Sequence, residues 1–289
     1  MILTRETNIL IIGLGVIGGS YAKALTKQGY SVSCITLEQK DIDYALEHKM
    51  IARGAVPDNK EMISEADLII LAIYPDACVK WVEENAGYIK PTAIVTDVSG
   101  VKECVVEPIQ RLLDNGAEFI SAHPMAGREQ SGVEFSDDSV FIGANFIITP
   151  TQRNTQSAID FCHDFAKILG FSRVSVLSPQ EHDKMIAFLS QLTHCIAVTL
   201  MTANQTPDME KFTGDSFRDL TRIAKINDLM WSKLFVANKQ ALLAEMDCFI
   251  DEFSRFRDML ANEDVDSMRA TMRLSTARRS LFDKPKNDI

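Results

Sequence analysis

A glycine-rich turn near the start of the chain constrains the fold more than any other feature. Gly13-Leu14-Gly15-Val16-Ile17-Gly18 follows a short β-branched run at 8–12 and opens a segment that reads as a helix over 20–28. In such a turn the first glycine permits the tight bend, the second lets the backbone approach a pyrophosphate, and the third allows close helix–strand packing. The free N–H groups at the helix start would face the anion. We therefore predict a dinucleotide site at Gly13, Gly15, Val16, Ile17 and Gly18, in preference to a generic turn.

The end of the second predicted strand bears on which dinucleotide would bind. In NAD enzymes, an acid about 20 residues after the glycine turn bonds the ribose 2′-hydroxyl. Glu38 follows Ile35-Thr36-Leu37 and can take that role, although it lies slightly late. Thr36 with Lys40 could instead accommodate a 2′-phosphate. The sequence therefore slightly favours NAD⁺ as the cofactor and leaves NADP⁺ open.

Short apolar runs alternate with helical segments over the first 178 residues. Strands are predicted at 8–12, 31–37, 67–73, 93–96, 118–121, 146–149 and 173–176. This alternation is typical of βαβ units and a mostly parallel sheet. After Ser178 the pattern indicates helices alone, at 184–201, 219–238, 241–260 and from Asn262, as N-cap, to 281. We predict an α/β fold, with a Rossmann-type parallel-sheet domain at 1–178 and an all-α helical domain at 179–289.

The segment 184–201 is apolar nearly all round, which is typical of a helix buried on every side. A helical domain of only about 110 residues offers few partners for it, and a second copy would supply them. The apolar run 9–19 mimics a signal peptide but is too short to span a membrane, and no other segment is expected to be apolar for long enough. We therefore expect a cytoplasmic homodimer, paired through the helical domain, with no membrane partner.

The composition excludes further classes. Apolar residues make up 46% of the chain, more than a disordered protein carries. The net charge of −10 argues against a nucleic-acid partner, and an anionic ligand would need local positive charge to bind. The six cysteines are scattered without a C-x-x-C pair or a His/Cys cluster, so neither a disulfide framework nor a bound metal is predicted.

Two segments that follow predicted strands are candidates for chemistry. The segment from Asp97 to Lys102 lies where ligands bind in open α/β folds, although an ordinary Asx or Ser turn explains it nearly as well. In the second segment, His123 stands at a strand end beside Pro124. Histidine is the side chain best suited to proton transfer near neutral pH. From the sequence, a catalytic and a purely structural role for His123 are equally well supported.

The helical half adds two polar groups. Ser190 and His194 are four residues apart, so they share one face of the apolar helix, as a helix–helix hydrogen bond or as the wall of a pocket. Arg218 and Arg222 are also four apart, and either acid partners offset their repulsion or one arginine holds an anionic ligand. Downstream, Trp231 fits an aromatic pocket wall or an ordinary core position.

Four blocks resemble the prephenate and arogenate dehydrogenases of tyrosine synthesis. They are Gly-Leu-Gly-x-Ile-Gly-Gly-Ser at 13–20, Thr-Asp-Val at 96–98 with Val101-Lys102, His-Pro-Met-Ala-Gly at 123–127, and Phe-Arg-Asp-Leu-Thr-Arg-Ile-Ala at 217–224. The resemblance implies a Rossmann domain, a helical dimerisation domain and an active site between them. It also implies oxidative decarboxylation of prephenate to 4-hydroxyphenylpyruvate with NAD(P)⁺. Arogenate as substrate, a different two-domain β-hydroxyacid-type dehydrogenase, and a cofactor sensor without turnover are the alternatives.

The resemblance also implies roles for individual residues. His123 would bond the ring hydroxyl and help to remove its proton, and His194 would match a second catalytic histidine. Arg222 would grip the side-chain carboxylate of the substrate, with Trp231 and Asp219 as active-site neighbours.

Three positions depart from the family pattern. The usual Gly-Ser-Val-Lys reads Ser99-Gly100-Val101-Lys102, so the catalytic hydroxyl expected of Ser99 is displaced by one residue. Gln191 stands where the family has a first helix histidine. Arg128 follows the His-Pro-Met-Ala-Gly block, where a small polar residue is usual, and would add a cation for the substrate. Arg222, Arg128 and Lys102 are thus the predicted local cations of an acidic chain.

Overall fold

The computed structural model describes residues 2–127, 130 and 132–283. Its strands are β1 (Ile9–Ile12), β2 (Val32–Ile35), β3 (Arg53–Ala55), β4 (Leu68–Leu71), β5 (Ile94–Asp97), β6 (Glu118–Phe119), β7 (Ser121–Met125), β8 (Asn145–Thr149) and β9 (Arg173–Val176). Its α-helices are α1 (Val16–Lys27), α2 (Gln39–Glu47), α3 (Lys60–Glu65), α4 (Pro75–Asn85), α5 (Glu103–Leu112), α6 (Gln156–Leu169), α7 (Pro179–Ile186), α8 (Thr193–Thr202), α9 (Asp215–Thr221), α10 (Asp228–Ala237), α11 (Lys239–Ala261) and α12 (Val265–Arg279).

Six strands form a parallel sheet in the order β3-β2-β1-β4-β5-β6. Successive residues of a strand face opposite sides of a sheet, so Ile9 and Ile11 enter one apolar core while Leu10 and Ile12 enter the other. The strand order turns back between β1 and β4, and in such sheets ligands bind beyond the carboxyl ends of the strands at that point. The predicted α/β fold with a Rossmann-type sheet is confirmed.

A separate three-stranded sheet has the order β7-β8-β9, with β7 antiparallel to β8 and β8 parallel to β9. The sequence predicted one strand at 118–121 with His123 after it. The structure instead ends β6 at Phe119 and places His123 inside β7, paired with Ile147. Pro124 caused the error, because proline cannot donate to a strand ladder. It is tolerated here since β7 lies at the edge of its sheet.

The predicted apolar helix is a continuous helical stretch over Pro179–Thr202, built from α7, a π-helical segment at Ala187–Leu192, and α8. Ser178 and Glu181 form a capping box at its start. Within the single chain only 28% of its most apolar window is buried, so burial on every side, for which a second copy is expected to supply the partners, stays a prediction. By length and composition alone this stretch could cross a membrane, contrary to the expectation that no segment would suffice.

The later helices differ from prediction at their ends. The single helix expected over 219–238 is broken into α9, a short 3-10 turn at Arg222–Ala224, and α10, which Asn227 caps by accepting from the backbone N–H of Met230. The final helix begins after Asp264, whose side chain accepts from Ser267, so the N-cap predicted at Asn262 was wrong.

Backbone contacts divide the chain into two compact units, one up to Lys239 and one from Gln240 on. The first unit extends past residue 178 because α7 is bonded to the start of α5. Both carboxylate oxygens of Asp183 accept backbone N–H groups, from Lys102 at 2.8 Å and Glu103 at 2.9 Å. The second unit contains most of α11, together with α12. A domain boundary near residue 178 stays a prediction.

Candidate active site

The glycine turn between β1 and α1 is built by two residues that tolerate no side chain. Gly13 has φ +92°, and a Cβ there would lie 2.5 Å from Ile73 Cγ2 and 2.7 Å from the Ala72 carbonyl oxygen. A Cβ on Gly18 would lie 2.1 Å from the Gly13 carbonyl oxygen. Both glycines are therefore required by the turn itself, whatever it binds.

The middle glycine of the turn has a different environment. A Cβ on Gly15 would meet nothing within 4 Å among the described residues. Gly15 is also the N-cap of α1, and the N–H groups of its first turn, from Val16 and Ile17 on, have no side-chain cap among the described residues. An uncapped helix start beside open space fits a pyrophosphate, because the N–H groups and the helix dipole both favour an anion.

The end of β2 lies beside this turn. The Thr36 hydroxyl accepts a hydrogen bond from Leu14 N at 3.3 Å, so Thr36 braces the glycine turn. Glu38 is exposed at the N-cap position of α2. Its carboxylate is therefore open to solvent on the side of the sheet where a ribose would lie.

A buried ion pair lies beyond the end of β5. Lys102 Nζ donates to both Asp97 oxygens, at 3.1 and 3.0 Å, and to the Ala122 carbonyl oxygen at 2.8 Å, and both charged side chains are 0% exposed. Ser99 N also donates to Asp97, which completes an Asx turn. The expectation that Lys102 offers a cation to a ligand was wrong, since its ammonium is fully bonded inside the protein.

Ser99 was expected to present its hydroxyl to the site, but Gly100 is the residue whose Cβ position lies near His123. Ser99 is buried, and its hydroxyl has no hydrogen-bond partner among the described residues. A Cβ on Gly100 would instead lie 3.9 Å from both Cε1 and Nε2 of His123. The Cβ position of Gly100 thus lies near the imidazole, and the catalytic role of Ser99 stays a prediction without a hydrogen bond to support it.

His123 heads a chain of bonded polar groups. Its Nδ1 lies 2.9 Å from His182 Nε2, and His182 Nδ1 lies 2.8 Å from Asp183 Oδ1. His123 is half-buried, whereas His182 is 0% exposed. Burial, the adjacent His182 and the Lys102 ammonium lower the pKa of His123 well below its ordinary value, so the imidazole is neutral near pH 7.

His182 and Asp183 are not among the residues that the sequence motifs predict for the site. They directly follow the capping box, and polar residues in the first turn of a helix are usually solvent-facing. The available signal was that His182 and Asp183 belong to a run of four ionisable residues, 181–184, at the start of a helical stretch that is otherwise mostly apolar.

A second polar group lies on the helices after residue 186. The rings of His194 and Trp231 stack with centroids 3.7 Å apart, and His194 Nδ1 bonds the Ser190 carbonyl oxygen at 2.9 Å. Gln191 is buried and bonds Asn238 and the Leu234 carbonyl oxygen, so it ties α10 to this stretch. Among the described residues, no hydrogen bond or ring contact joins His123 to His194.

The remaining predicted residues are exposed or undescribed. Arg218 pairs with Asp215 at 3.3 Å. Arg222 is exposed and begins the 3-10 turn that packs against α8, and Asp219 is exposed on α9. The prediction for Arg128 lies outside the described residues.

An ion pair joins α10 to the edge of the sheet at which the glycine turn lies. Lys233 on α10 bonds Asp76, in the first turn of α4, at 2.8 Å, and α4 begins shortly after β4. Gly13 follows β1 and Gly100 follows β5 at the same edge. The glycine turn, the His123 imidazole and the helix that carries Trp231 therefore belong to one region of the first unit.

Comparisons with known proteins agree on one family. Residues 21–178 match the nucleotide-binding domain of prephenate dehydrogenase, and residues 178–274 match its dimerization domain. The prephenate dehydrogenase of Bacillus subtilis (strain 168) is 30% identical over 273 residues, covering 91% of this chain and 72% of the relative. The cyclohexadienyl dehydrogenase of Zymomonas mobilis is also 30% identical, covering 91% of this chain and 92% of the relative.

Among solved structures, similarity extends over both halves of the chain. Prephenate dehydrogenase from Aquifex aeolicus, in complex with hydroxyphenyl propionate and NAD⁺, superposes with a TM-score of 0.88 at 26% identity. The match covers 96% of this chain and 98% of that one.

Proposed function

This chain belongs to the prephenate dehydrogenase family, and we propose that it oxidises prephenate to 4-hydroxyphenylpyruvate with loss of carbon dioxide and reduction of NAD⁺. The observation that carries the proposal is the neutral, half-buried His123 imidazole at the edge of the sheet where the glycine turn opens. A neutral histidine next to a dinucleotide site is what removal of a hydroxyl proton during hydride transfer requires.

NAD⁺, when bound, accepts the hydride from the ring carbon that bears the hydroxyl. The chain's contribution is to hold the cofactor. The N–H groups at the start of α1 would hold the pyrophosphate across Gly15, where no side chain intrudes. Glu38 would accept hydrogen bonds from the ribose hydroxyls, and its negative charge would disfavour the 2′-phosphate of NADP⁺.

His123 accepts the proton of the ring hydroxyl. A positioned general base typically accelerates such a step by about 10²–10⁴-fold. The ring carboxylate then leaves as carbon dioxide, which makes the ring aromatic. Gly100 leaves room beside the same imidazole, since no side chain projects from its Cβ position there.

The helical elements bind the rest of the substrate. Arg222 grips the side-chain carboxylate, because a planar guanidinium matches a carboxylate in bidentate geometry. The stacked rings of His194 and Trp231 form a wall of the pocket, with Asp219 as a neighbour. Arg128 supplies a further cation to the substrate. Arg222 and Arg128, with the helix start at Gly15, thus provide the positive charge that an acidic chain needs to bind a dianion.

We further propose that the protein is a cytoplasmic homodimer paired through its helical part. Apolar side chains of the stretch 179–202 are solvent-exposed in the single chain, with Phe188 51% and Met185 45% exposed. The match to a dimerization domain covers this stretch. A second copy over it would bury the apolar surface without a membrane or a nucleic acid as partner.

A four-way assay tests the proposed function. Prephenate and arogenate are each supplied with NAD⁺ and with NADP⁺, and the reduced cofactor is followed by absorbance. We expect the highest kcat/KM with prephenate and NAD⁺. Faster oxidation of arogenate would transfer the activity to that substrate, and reduction only with a panel of β-hydroxy acids would overturn the proposal.

A further inference from the structure

Hydrogen bonds link His123 to His182 and His182 to Asp183, and a general base alone does not require such a chain. Its members come from two elements, β7 and α7, that are far apart in the sequence. The imidazole rings of His123 and His182 meet edge-on, with an interplanar angle of 62°. His182 cannot touch the substrate itself, since it is fully buried.

The direction of each hydrogen bond follows from its donors. Asp183 accepts the backbone N–H groups of Lys102 and Glu103, which can act only as donors, so its carboxylate is held as an acceptor. His182 Nδ1 must then carry the proton that faces Asp183 Oδ1. Burial and the positive charge of Lys102 lower the pKa of His182, despite the opposing effect of Asp183 and Asp97, so the ring is neutral and has a single N–H.

A neutral His182 that donates from Nδ1 has a lone pair on Nε2. That lone pair faces His123 Nδ1 at 2.9 Å, so His123 must donate from Nδ1. His123 is neutral as well, and its own lone pair is therefore on Nε2, the atom that lies on the side of Gly100.

We propose that His182 is a positioning residue, which fixes His123 in the tautomer whose Nε2 lone pair faces the substrate hydroxyl. This inference rests on the proposed function of His123 as the base. Without an acceptor at His182 Nε2, the two tautomers of His123 compete, and the one with a proton on Nε2 cannot accept a proton there. Asp183 acts one step further away, by orienting His182.

Two substitutions separate positioning from packing. His182→Leu fills the space but removes the acceptor. His182→Gln is the matched control, because its side-chain amide oxygen can reach the position of the imidazole Nε2 and accept from His123. We expect kcat to fall at least tenfold in H182L and to recover most of that loss in H182Q. KM for prephenate and Kd for NAD⁺ should stay within about twofold of wild type, since a buried residue touches neither.

The tautomer can be read directly, without turnover. The chain has five histidines, so ¹⁵N-labelled histidine gives a small set of signals, and the His123 signal is the one that His123→Asn removes. Long-range ¹H–¹⁵N correlation spectra should show His123 protonated at Nδ1 in wild type and H182Q, and protonated partly or wholly at Nε2 in H182L.

Several results would overturn the proposal. One is a wild-type His123 that carries its proton on Nε2, a result that needs neither His182 variant to fold. The others are wild-type kcat in H182L, or H182Q as impaired as H182L at equal thermal stability. Absence of prephenate oxidation by the wild-type enzyme would defeat the proposed function instead, while the NMR spectrum still tests the tautomer.

Discussion

At the level of single residues, Lys102 and Asp97 form a fully buried ion pair. Asp97 accepts bonds from Lys102 and from the backbone N–H groups of Ser99 and Ala122, all in an interior where neither charge meets water. Removing one member of such a pair leaves the other charge buried and uncompensated, which costs far more than the pair contributes.

Lys102→Met should therefore lower the free energy of unfolding by about 3–5 kcal/mol. Urea denaturation measures the change. Lys27→Met is the control, because Lys27 pairs with Asp138 while 71% exposed, and ion pairs at such exposed sites contribute little to stability. Equal losses in the two variants would contradict the role assigned to the buried pair.

The ionisation of His123 gives a pH prediction. Burial, His182 and Lys102 all disfavour its charged form, so its pKa lies below the ordinary 6.5. The base therefore stays neutral as the pH falls through 6.5, and kcat/KM should keep its plateau there and decline only at lower pH. An acid limb centred at or above 6.5 in the pH–rate profile would contradict this.

The same shift affects stability in a defined direction. Below pH 6.5 His123 and His182 bind protons more readily in the unfolded chain than in the folded chain, because folding lowers the pKa of both. The free energy of unfolding should therefore fall as the pH drops. Urea midpoints at pH 7.5 and 5.5 measure this loss. His123→Asn should reduce the difference between them.

At the level of elements, the glycines of the β1–α1 turn have different roles. Gly13→Ala should destabilise the protein by more than about 1 kcal/mol, because a Cβ would collide with Ile73 and Ala72 at a left-handed backbone position. Gly15→Ala should leave stability unchanged or slightly raised, since a Cβ there meets open space. It should nevertheless weaken NAD⁺ binding at least tenfold, because that space is where the pyrophosphate is proposed to approach.

Thermal melts and NAD⁺ titration calorimetry distinguish the two variants. A Gly15→Ala protein that binds NAD⁺ as tightly as wild type would place the pyrophosphate elsewhere. A Gly13→Ala protein of wild-type stability would show that the turn can rearrange.

The elements that sequence patterns predicted well are the buried parallel strands. β1 and β4 are apolar without interruption, because both faces of a central parallel strand are covered. β7 was misplaced because Pro124 is compatible with a strand only at an edge, and edge position is a tertiary property. The break between α9 and α10 was not predicted. The helical spacing of apolar residues continues through the turn between them, and that turn contains neither glycine nor proline.

The candidate site was predictable in part for a related reason. His123 and the glycine turn stand in local motifs, so their neighbourhood in the sequence identifies them. His182 and His123 are hydrogen-bonded although they lie 59 positions apart in the sequence. Gly100 leaves space beside His123 because it has no side chain. Contacts of this kind depend on how α7 docks on α5 and β8, which no local pattern reports.

At the level of the whole molecule, solvent-exposed apolar surface on the helices remains to be covered. In the unit from Gln240 on, large side chains such as Phe253 and Ile250 are more than half exposed. We expect light scattering on a sizing column to give twice the chain mass of 32.2 kDa at micromolar concentration. A monomer mass under those conditions would contradict pairing through the helical part.

The account depends on His123 as the base that removes the hydroxyl proton of prephenate. The most direct test compares the kcat of His123→Asn with that of wild type at saturating prephenate and NAD⁺, with the exposed His48→Asn as control. We expect kcat to fall by about 10²–10⁴-fold in His123→Asn alone, with the Kd for NAD⁺ and the melting temperature close to wild type. Wild-type kcat in a folded His123→Asn protein would contradict the account.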